Sequence, residues 1–337
     1  MKKKSAAFTW GLAIAMIAGF FALAWQINTV HPLDVAVSLR VAAMRSDGLT
    51  AVMRQVSNLV SAPALMLLSL VLLVIIRQRK YYVPLLSNLA ISVVLNLGLK
   101  DLFTRPRPVE ISALVQERGY SFPSGHSMAA AAFFGFLIFL VWRSQRCRTT
   151  KRVLTAGLLV VIIAVGFSRI YLGVHYLSDV LAGFMASGVY LLLFTSFVDA
   201  YFVRDASVGD HLGGLQSPLL RSFAHAIDGI IAGLKAERNM VIHFGVTMLV
   251  IVLGFLLRLR AWEWTILIIL FALVLAAELI NTAVEAAVDL ISPDQSEKAR
   301  LAKDTAAGAV LLCALAAAVV GVIILGPKLI RLILLSM

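Results

Sequence analysis

Apolar runs of about twenty residues recur along the chain, separated by short polar stretches. A bilayer core about 30 Å thick takes about 20 helical residues to cross, so such runs predict transmembrane helices. The pattern predicts nine spans, at residues 8–27, 60–76, 82–99, 127–142, 153–168, 180–199, 240–257, 264–283 and 306–326. Lipid offers backbone amides no partners, so each span must satisfy its own, and the expected fold is an all-α polytopic membrane protein. Two other segments have helical but amphipathic patterning. Residues 31–58 read as a polar-interrupted helical stretch on the outer surface. Residues 219–238 set Phe223, Ile227, Ile230, Ile231 and Leu234 at helical spacing, as for a helix lying on the inner surface. The polar, glycine-bearing stretch 204–214 separates six spans from three. It predicts a first domain over 1–200, a linker over 201–218 and a second domain over 219–337. No internal repeat is evident, and the basic, apolar tail 328–337 is assigned no role.

Composition agrees with the pattern: the 337 residues are 61% hydrophobic and 14% charged, with mean hydropathy +0.92. A net charge of +12 invites a nucleic-acid partner, but the basic residues argue otherwise. They flank spans, at Lys2–Lys4, at 77–80 and at 143–152, where they meet anionic headgroups. With the N-terminus in the cytoplasm, the larger share of Lys and Arg falls on the inner side, as the positive-inside pattern requires. Four outward residues, Lys100, Arg105, Arg107 and Arg169, instead belong to polar clusters with chemistry of their own. Cys147 and Cys313 lie far apart in the chain, so no disulfide framework is expected.

Those clusters are Lys100 to Pro108, then Pro123-Ser124-Gly125-His126, then Ser168-Arg169 with His175 and Asp179. Lys100, Arg107 and Arg169 can surround a phosphoryl group and neutralise its oxygens in the transition state. Ser124 and the Gly125 amide open a helix, where free N–H groups favour an anion. His175 can be the nucleophile, and Asp179, expected one helical turn on, can hold its tautomer and support the developing cation. His126 can protonate the leaving oxygen. In the expected topology all three clusters fall at the outer ends of spans three to six.

The combination K-x6-RP, PSGH and SR-x5-H-x3-D resembles the three-part signature of the type-2 phosphatidic acid phosphatase family. Residues 1–200 are similar to its six-helix bacterial members, which also implies that the first helix is retained. Lys2–Lys4, an apolar run and Ala22-Leu23-Ala24 would otherwise pass for a cleaved signal peptide. The resemblance implies a metal-independent lipid phosphatase in a bacterial cytoplasmic membrane, with His175 as nucleophile and His126 as acid. Lys100, Arg107, Ser124, Gly125 and Arg169 are the implied phosphate binders. Arg105 lies outside the pattern and reads as a neighbouring charge.

In the eighth span Glu278, Asn281, Glu285 and Asp289 recur at i, i+3, i+7 and i+11, one polar stripe on a helix. A carboxylate near mid-bilayer costs about 2.5–3.5 kcal/mol on insertion scales, so these residues should not face lipid. A helix-packing seam would explain one such residue. Two glutamates with Asn281, and Lys303-Asp304 opening the next span, favour a site that holds a nucleotide's divalent cation and deprotonates a lipid alcohol. The run from Glu278 to Asp289, with 302–311 after it, resembles the prokaryotic diacylglycerol kinase family over about 219–326. That resemblance implies ATP and Mg2+ for this half and no cofactor for the phosphatase half. Glu278 is the implied base and Glu285 a metal ligand, with Asn281, Asp289, Lys303 and Asp304 around nucleotide and metal. Glu237 and His243 compete for a second metal-binding position upstream. Glu237-Arg238-Asn239 with His243 is closer to the undecaprenol kinase branch. The family's trimers with shared sites imply a homo-oligomer here, most simply a trimer.

Two pairings of activity follow. A phosphatidate or phosphatidylglycerophosphate phosphatase beside a diacylglycerol kinase would be opposed activities that consume ATP. An undecaprenyl diphosphate phosphatase beside an undecaprenol kinase would instead converge on undecaprenyl phosphate, the carrier lipid of cell-wall synthesis, and is the expected function. An ion transporter or channel would also explain intramembrane acids. It has no use for PSGH with SR-x5-H-x3-D.

Overall fold

The computed structural model describes residues 2–27, 31–76, 78–203, 218–292 and 296–334; most of the expected linker, 204–217, lies outside the described residues. Among the described residues every regular element is helical. In chain order the α-helices are α1 (Lys2–Trp25), α2 (Pro32–Ala42), α3 (Asp47–Asn58), α4 (Ala62–Ile75), α5 (Tyr82–Phe103), α6 (Gly125–Arg143), α7 (Arg148–Tyr171), α8 (Leu177–Val198), α9 (Pro218–Ala236), α10 (Arg238–Leu256), α11 (Ala261–Ile291) and α12 (Glu297–Leu334). They form two compact units, one of residues 1–77 and 91–199, the other of 78–90 and 200–337.

Seven helices, α5 to α8 and α10 to α12, are long and apolar enough to cross a membrane, α8 counted with its short continuation to Val203. An eighth span appears if α3 and α4, bent by 56° at a short break, are counted together, and the apolar part of α1 is Thr9–Trp25. The expected span at 60–76 is therefore only 14 residues of regular helix. Pro63 in its first turn cannot extend a helix backwards, because it lacks an N–H, and this ends the run from α3. Conversely, α11 and α12 run 31 and 38 residues, well beyond the apolar windows read from sequence.

In the first unit the second half of α5 and α6, α7 and α8 alternate in direction. The C-terminal ends of α5 and α7 and the N-terminal ends of α6 and α8 thus share one end of the bundle. α1 packs along α8, burying Phe20 and Ala24 against Phe122 and Ala182. α2 and α3 cap α7 at the shared end, where Val41, Ile170, Tyr171, Leu172, Val174 and Val180 form a buried cluster. Each such side chain contributes about 1.5–3 kcal/mol when removed from water. Arg45, after α2, binds the cap together: Nε and Nη2 donate to Tyr171 O at 3.1 and 2.9 Å, and Nη1 donates to Ser112 O at 2.9 Å. Gly173 sits beside this guanidinium at φ +77°. A Cβ there would lie 2.8 Å from Arg45 Nη2 and from Ser112 O, so glycine is required both for conformation and for space.

In the second unit α11 packs along α12, and Leu259, Leu267, Ile324 and Leu325 form its buried apolar cluster. Glu263, buried at the start of α11, accepts from the Arg260 N–H at 2.6 Å and from Lys328 Nζ at 2.7 Å. Along α9, Ala224 and Ile231 are buried while Phe223, Ile227 and Ile230 are exposed. That uncovered apolar face is the amphipathic pattern read from the sequence, and it suits a helix resting on a membrane.

Candidate functional site

The shared end of the first unit gathers every residue of the three polar clusters. Lys100 is in the last turn of α5, and Ser124 caps α6, its Oγ accepting from the Ser127 N–H at 3.4 Å and the Ser127 hydroxyl at 2.9 Å. Gly125 follows, so close to Asn96 that a Cβ would stand 2.8 Å from Oδ1, and half-buried His126 comes next. Arg169 ends α7, and Asp179 lies in the first turn of α8. The four-residue spacing of His175 and Asp179 is not a helical turn as expected. His175 precedes α8, and Asp179 Oδ2 reaches back to accept the Tyr176 N–H at 2.9 Å, capping the helix start. The bend at Gly173 and this cap bring Oδ2 to 3.4 Å from His175 Nδ1. The pair is close but not aligned for a hydrogen bond, and Nδ1 has no other partner.

The opposite ring nitrogen defines the reactive side. His175 Nε2 stands 3.4 Å from Arg107 Nη1. Arg107 is itself fixed by carbonyls: Nη1 donates to Val174 O at 2.9 Å, Nε to Gly119 O and Nη2 to Arg118 O, each at 3.1 Å. Arg169, 2% exposed, donates from Nη1 to Ser57 Oγ of α3 and from Nη2 to Glu117 Oε1. Its Nε is buried without a hydrogen-bond partner. Glu117 Oε2 also lies 3.7 Å from Arg107 Nη2. A carboxylate therefore bridges the two guanidinium groups. Burial alone would raise the Glu117 carboxyl, but Arg169, His126 and Arg107 outweigh it and hold it below the usual range. Burial first, then the cationic charges of Arg169, Lys100 and Arg107, keeps the His175 imidazole well below the usual histidine range. A neutral ring with its lone pair at Nε2, next to cations that can take phosphoryl oxygens, is a nucleophile for phosphorus.

Several residues in this site carry no motif. Glu117, Ser57, Arg45, Asp34 and Arg105 are brought in by the 104–124 loop and by α2 and α3. Only Arg105, two positions before Arg107 in an Arg-Pro-Arg-Pro run, stood out in the sequence.

In the second unit Glu278, Asn281, Glu285 and Asp289 share α11 as one stripe. Glu278 is 1% exposed. Asn281 Nδ2 donates to Glu285 Oε1 at 3.0 Å, and Asn281 Oδ1 is buried without a partner. Glu237, at the break between α9 and α10, and Glu285 both lie within electrostatic reach of Glu278. Lys303 Nζ of α12 pairs with Asp289 Oδ1. Asp304 faces Arg300 instead, 3.5 Å away on an exposed surface, and half-buried His243 is one turn before Thr247, which donates to its carbonyl. Among the described residues no three His, Cys, Asp or Glu side chains stand close enough to hold a metal by themselves. The acidic oxygens fit a hard cation that keeps phosphate ligands, since Mg2+ is commonly held by one or two carboxylates plus substrate phosphates.

Comparison with known proteins assigns both halves. Residues 81–202 match the PAP2 superfamily and residues 224–325 match prokaryotic diacylglycerol kinase. Undecaprenol kinase of Bacillus subtilis is 39% identical over 120 residues, covering 36% of this chain and 97% of that protein. Phosphatidylglycerophosphatase B of Bacillus subtilis is 36% identical over 181 residues, covering 51% and 85%. The crystal structure of a transmembrane PAP2 type phosphatidylglycerolphosphate phosphatase from Bacillus subtilis superposes with TM-score 0.51 at 29% identity, over 55% of this chain and 94% of that one. The chain thus belongs to the PAP2 superfamily through its first part and to the prokaryotic diacylglycerol kinase family through its second, a lipid phosphatase and a lipid kinase in one polypeptide.

Proposed function

We propose that both halves make undecaprenyl phosphate, the first by hydrolysing undecaprenyl diphosphate and the second by phosphorylating undecaprenol. The likeness of the second half to undecaprenol kinase carries this reading. A phosphatase that releases the same product makes the fusion convergent, whereas a phosphatidate phosphatase beside a diacylglycerol kinase would oppose it. In the first half, the His175 Nε2 lone pair attacks the terminal phosphorus while Lys100, Arg107, Arg169 and the Gly125 amide take its oxygens, with Ser124 capping the helix that presents that amide. The phosphorus–oxygen bond to the leaving group breaks as His126 supplies its proton. Asp179 supports the imidazolium. Water then attacks phosphorus, His126 takes its proton, and the nitrogen–phosphorus bond returns its pair to Nε2. No metal is needed.

In the second half Glu278 removes the proton from the lipid hydroxyl. Glu285 and Asn281 would hold Mg2+, with Glu237, within electrostatic reach of Glu278, or His243 joining them. Asp289, Lys303 and Asp304 orient the nucleotide. Bound ATP would supply the phosphoryl group, and its Mg2+ would neutralise the phosphate charge. The domains divide as 1–200, a 201–218 linker and 219–337. The basic flanks support a cytoplasmic N-terminus, with the phosphatase site outward and the kinase site inward. A trimer would complete the kinase site. The second reading, a phosphatidylglycerophosphate phosphatase, is favoured by the 36% identity to phosphatidylglycerophosphatase B. Phosphate release by the purified protein in EDTA, from undecaprenyl diphosphate and phosphatidylglycerophosphate side by side, decides between them. Preference for phosphatidylglycerophosphate, or diacylglycerol outcompeting undecaprenol in the kinase assay with Mg2+, rejects the convergent pair.

A further inference from the structure

Arg105 is 3% exposed although it is an arginine in a loop at the end of a membrane helix. The backbone is arranged to put it there. Thr104 has φ +46°, a left-handed conformation that a residue with a Cβ rarely adopts. The Arg105 carbonyl accepts the Ser121 N–H at 2.8 Å, and Ser121 Oγ donates to Pro106 O at 2.8 Å. The guanidinium then lies between two carboxylates from distant parts of the chain. Its Nη1 donates to Asp179 Oδ1 at 2.6 Å and to Ser178 Oγ at 2.7 Å, and its Nη2 donates to Asp34 Oδ2 at 3.0 Å. Its carbon sits 4.4 Å over the Tyr176 ring. Asp34, on α2 and also 3% exposed, accepts the Ser178 N–H at 3.0 Å and the Ser178 hydroxyl at 2.5 Å.

This arrangement bears on catalysis through charge as well as shape. Asp179 uses Oδ1 for Arg105, so only Oδ2 is turned toward His175. A guanidinium in direct contact would cancel much of the negative potential that Asp179 presents to the imidazole, since charges interact strongly where water is excluded. Asp34 on the far side of the same guanidinium offsets that cancellation. Two carboxylates and one cation leave the buried cluster with net charge −1 at the moment His175 becomes cationic.

We infer that Arg105 and Asp34 are a positioning pair, in which Arg105 aims the Asp179 carboxylate and Asp34 preserves its negative field at His175. The inference rests on the phosphohistidine reading of the first half, and neither residue touches the groups assigned to phosphate. The effect therefore falls on kcat rather than KM.

The test separates charge from structural support. Asp34→Asn keeps the shape but brings the cluster to net zero, and kcat for phosphate release from undecaprenyl diphosphate and from phosphatidic acid should fall about tenfold or more, with KM within about twofold. Adding Arg105→Gln to it removes a second buried partner, yet restores net −1. The double variant should recover kcat to within about threefold of wild type, where a purely structural role makes it worse than either single change. Unchanged kcat in Asp34→Asn, a loss confined to KM, or a double variant no better than Asp34→Asn overturns the inference. Orthovanadate inhibition reports whether the site is intact. If Asp34→Asn loses it, the double variant decides alone, its recovery supporting the inference and its inactivity overturning it. His175→Ala is measured alongside: full turnover in that variant rejects the phosphohistidine reading, and the positioning role with it. Loss in His175→Ala with wild-type kcat in Asp34→Asn rejects the positioning role only.

Discussion

Glu117→Gln should tighten the binding of phosphate-like anions to the phosphatase half. In the structure the Glu117 carboxylate accepts from Arg169 Nη2 and stands 3.7 Å from Arg107 Nη2, so it occupies the donors assigned to substrate phosphate. An incoming anion must displace it. A charge-assisted hydrogen bond contributes about 1.5–3 kcal/mol. The longer pair adds at most about 0.5 kcal/mol, because Glu117 is 27% exposed and partly screened. Glutamine keeps the shape and one acceptor but loses the charge, so roughly half of that competition, about 1–2 kcal/mol, should disappear. At 1.4 kcal/mol per tenfold, the expected gain is about 5–30-fold in affinity. Burial raises the Glu117 carboxyl, but Arg169, His126 and Arg107 lower it further than burial raises it. The carboxylate is thus ionised throughout pH 5–8, and the gain should be the same across that window. The assay is the inhibition constant of orthovanadate against phosphate release in detergent, wild type beside variant. Weaker or unchanged inhibition would refute the reasoning, since a destabilised site cannot bind an anion more tightly.

His175→Ala should lower phosphatase turnover by about a thousandfold or more and leave kinase activity intact, measured on one preparation. Because the His175 pKa is depressed below 6.5, the imidazole is buried neutral, and its share of stability is complete above pH 6.5 and lost as pH falls below it. The unfolding midpoint of the phosphatase half should therefore drop more steeply from pH 6.5 to 5 in wild type than in His175→Asn, and the acid limb of kcat/KM should lie below 6.5. Glu285→Ala should abolish ATP-dependent lipid phosphorylation and spare phosphate release, and loss of both would reject two independent sites. Gly173→Ala should cost about 1–3 kcal/mol, from φ +77° and a Cβ 2.8 Å from Ser112 O, seen as a lower melting temperature.

Seven of the nine expected spans were legible because hydropathy acts over twenty residues at a time, those at 8–27 and 60–76 being shorter apolar helices, and the phosphatase motifs were legible because their spacing is short and chemically specific. Lys100, Ser124, His126, Arg169 and His175 all stand at helix ends that alternation brings together. The partners were not legible. Asp34 and Ser57 sit in amphipathic helices whose patterning predicts a surface, and only the packing of α2 and α3 over α7 places them beside Arg105 and Arg169. Glu117 looks like any loop carboxylate until the chain folds back over Arg107. The four-residue spacing of His175 and Asp179 suits a helical turn as well as it suits a bend and a cap, so the sequence does not choose between them. On α11 the acidic stripe was plain from its period. Asp304 follows it in sequence and pairs with Arg300 on the exposed surface, a contact its position in the chain does not announce.

The shortness of α4 has a mechanical consequence for the surrounding lipid. Fourteen residues rise about 21 Å, roughly 9 Å less than a typical hydrocarbon core, and α4 starts at the same end of the bundle as Ser57 and Arg169. Where α4 crosses without α3, lipid beside it would thin or dimple to avoid exposing apolar helix or burying polar ends, at fractions of a kcal/mol per Å. A headgroup in that depression would be carried toward the guanidinium groups before any contact with them forms. Phosphate release would then vary with bilayer thickness, and short-chain and long-chain host membranes would amount to different reaction media.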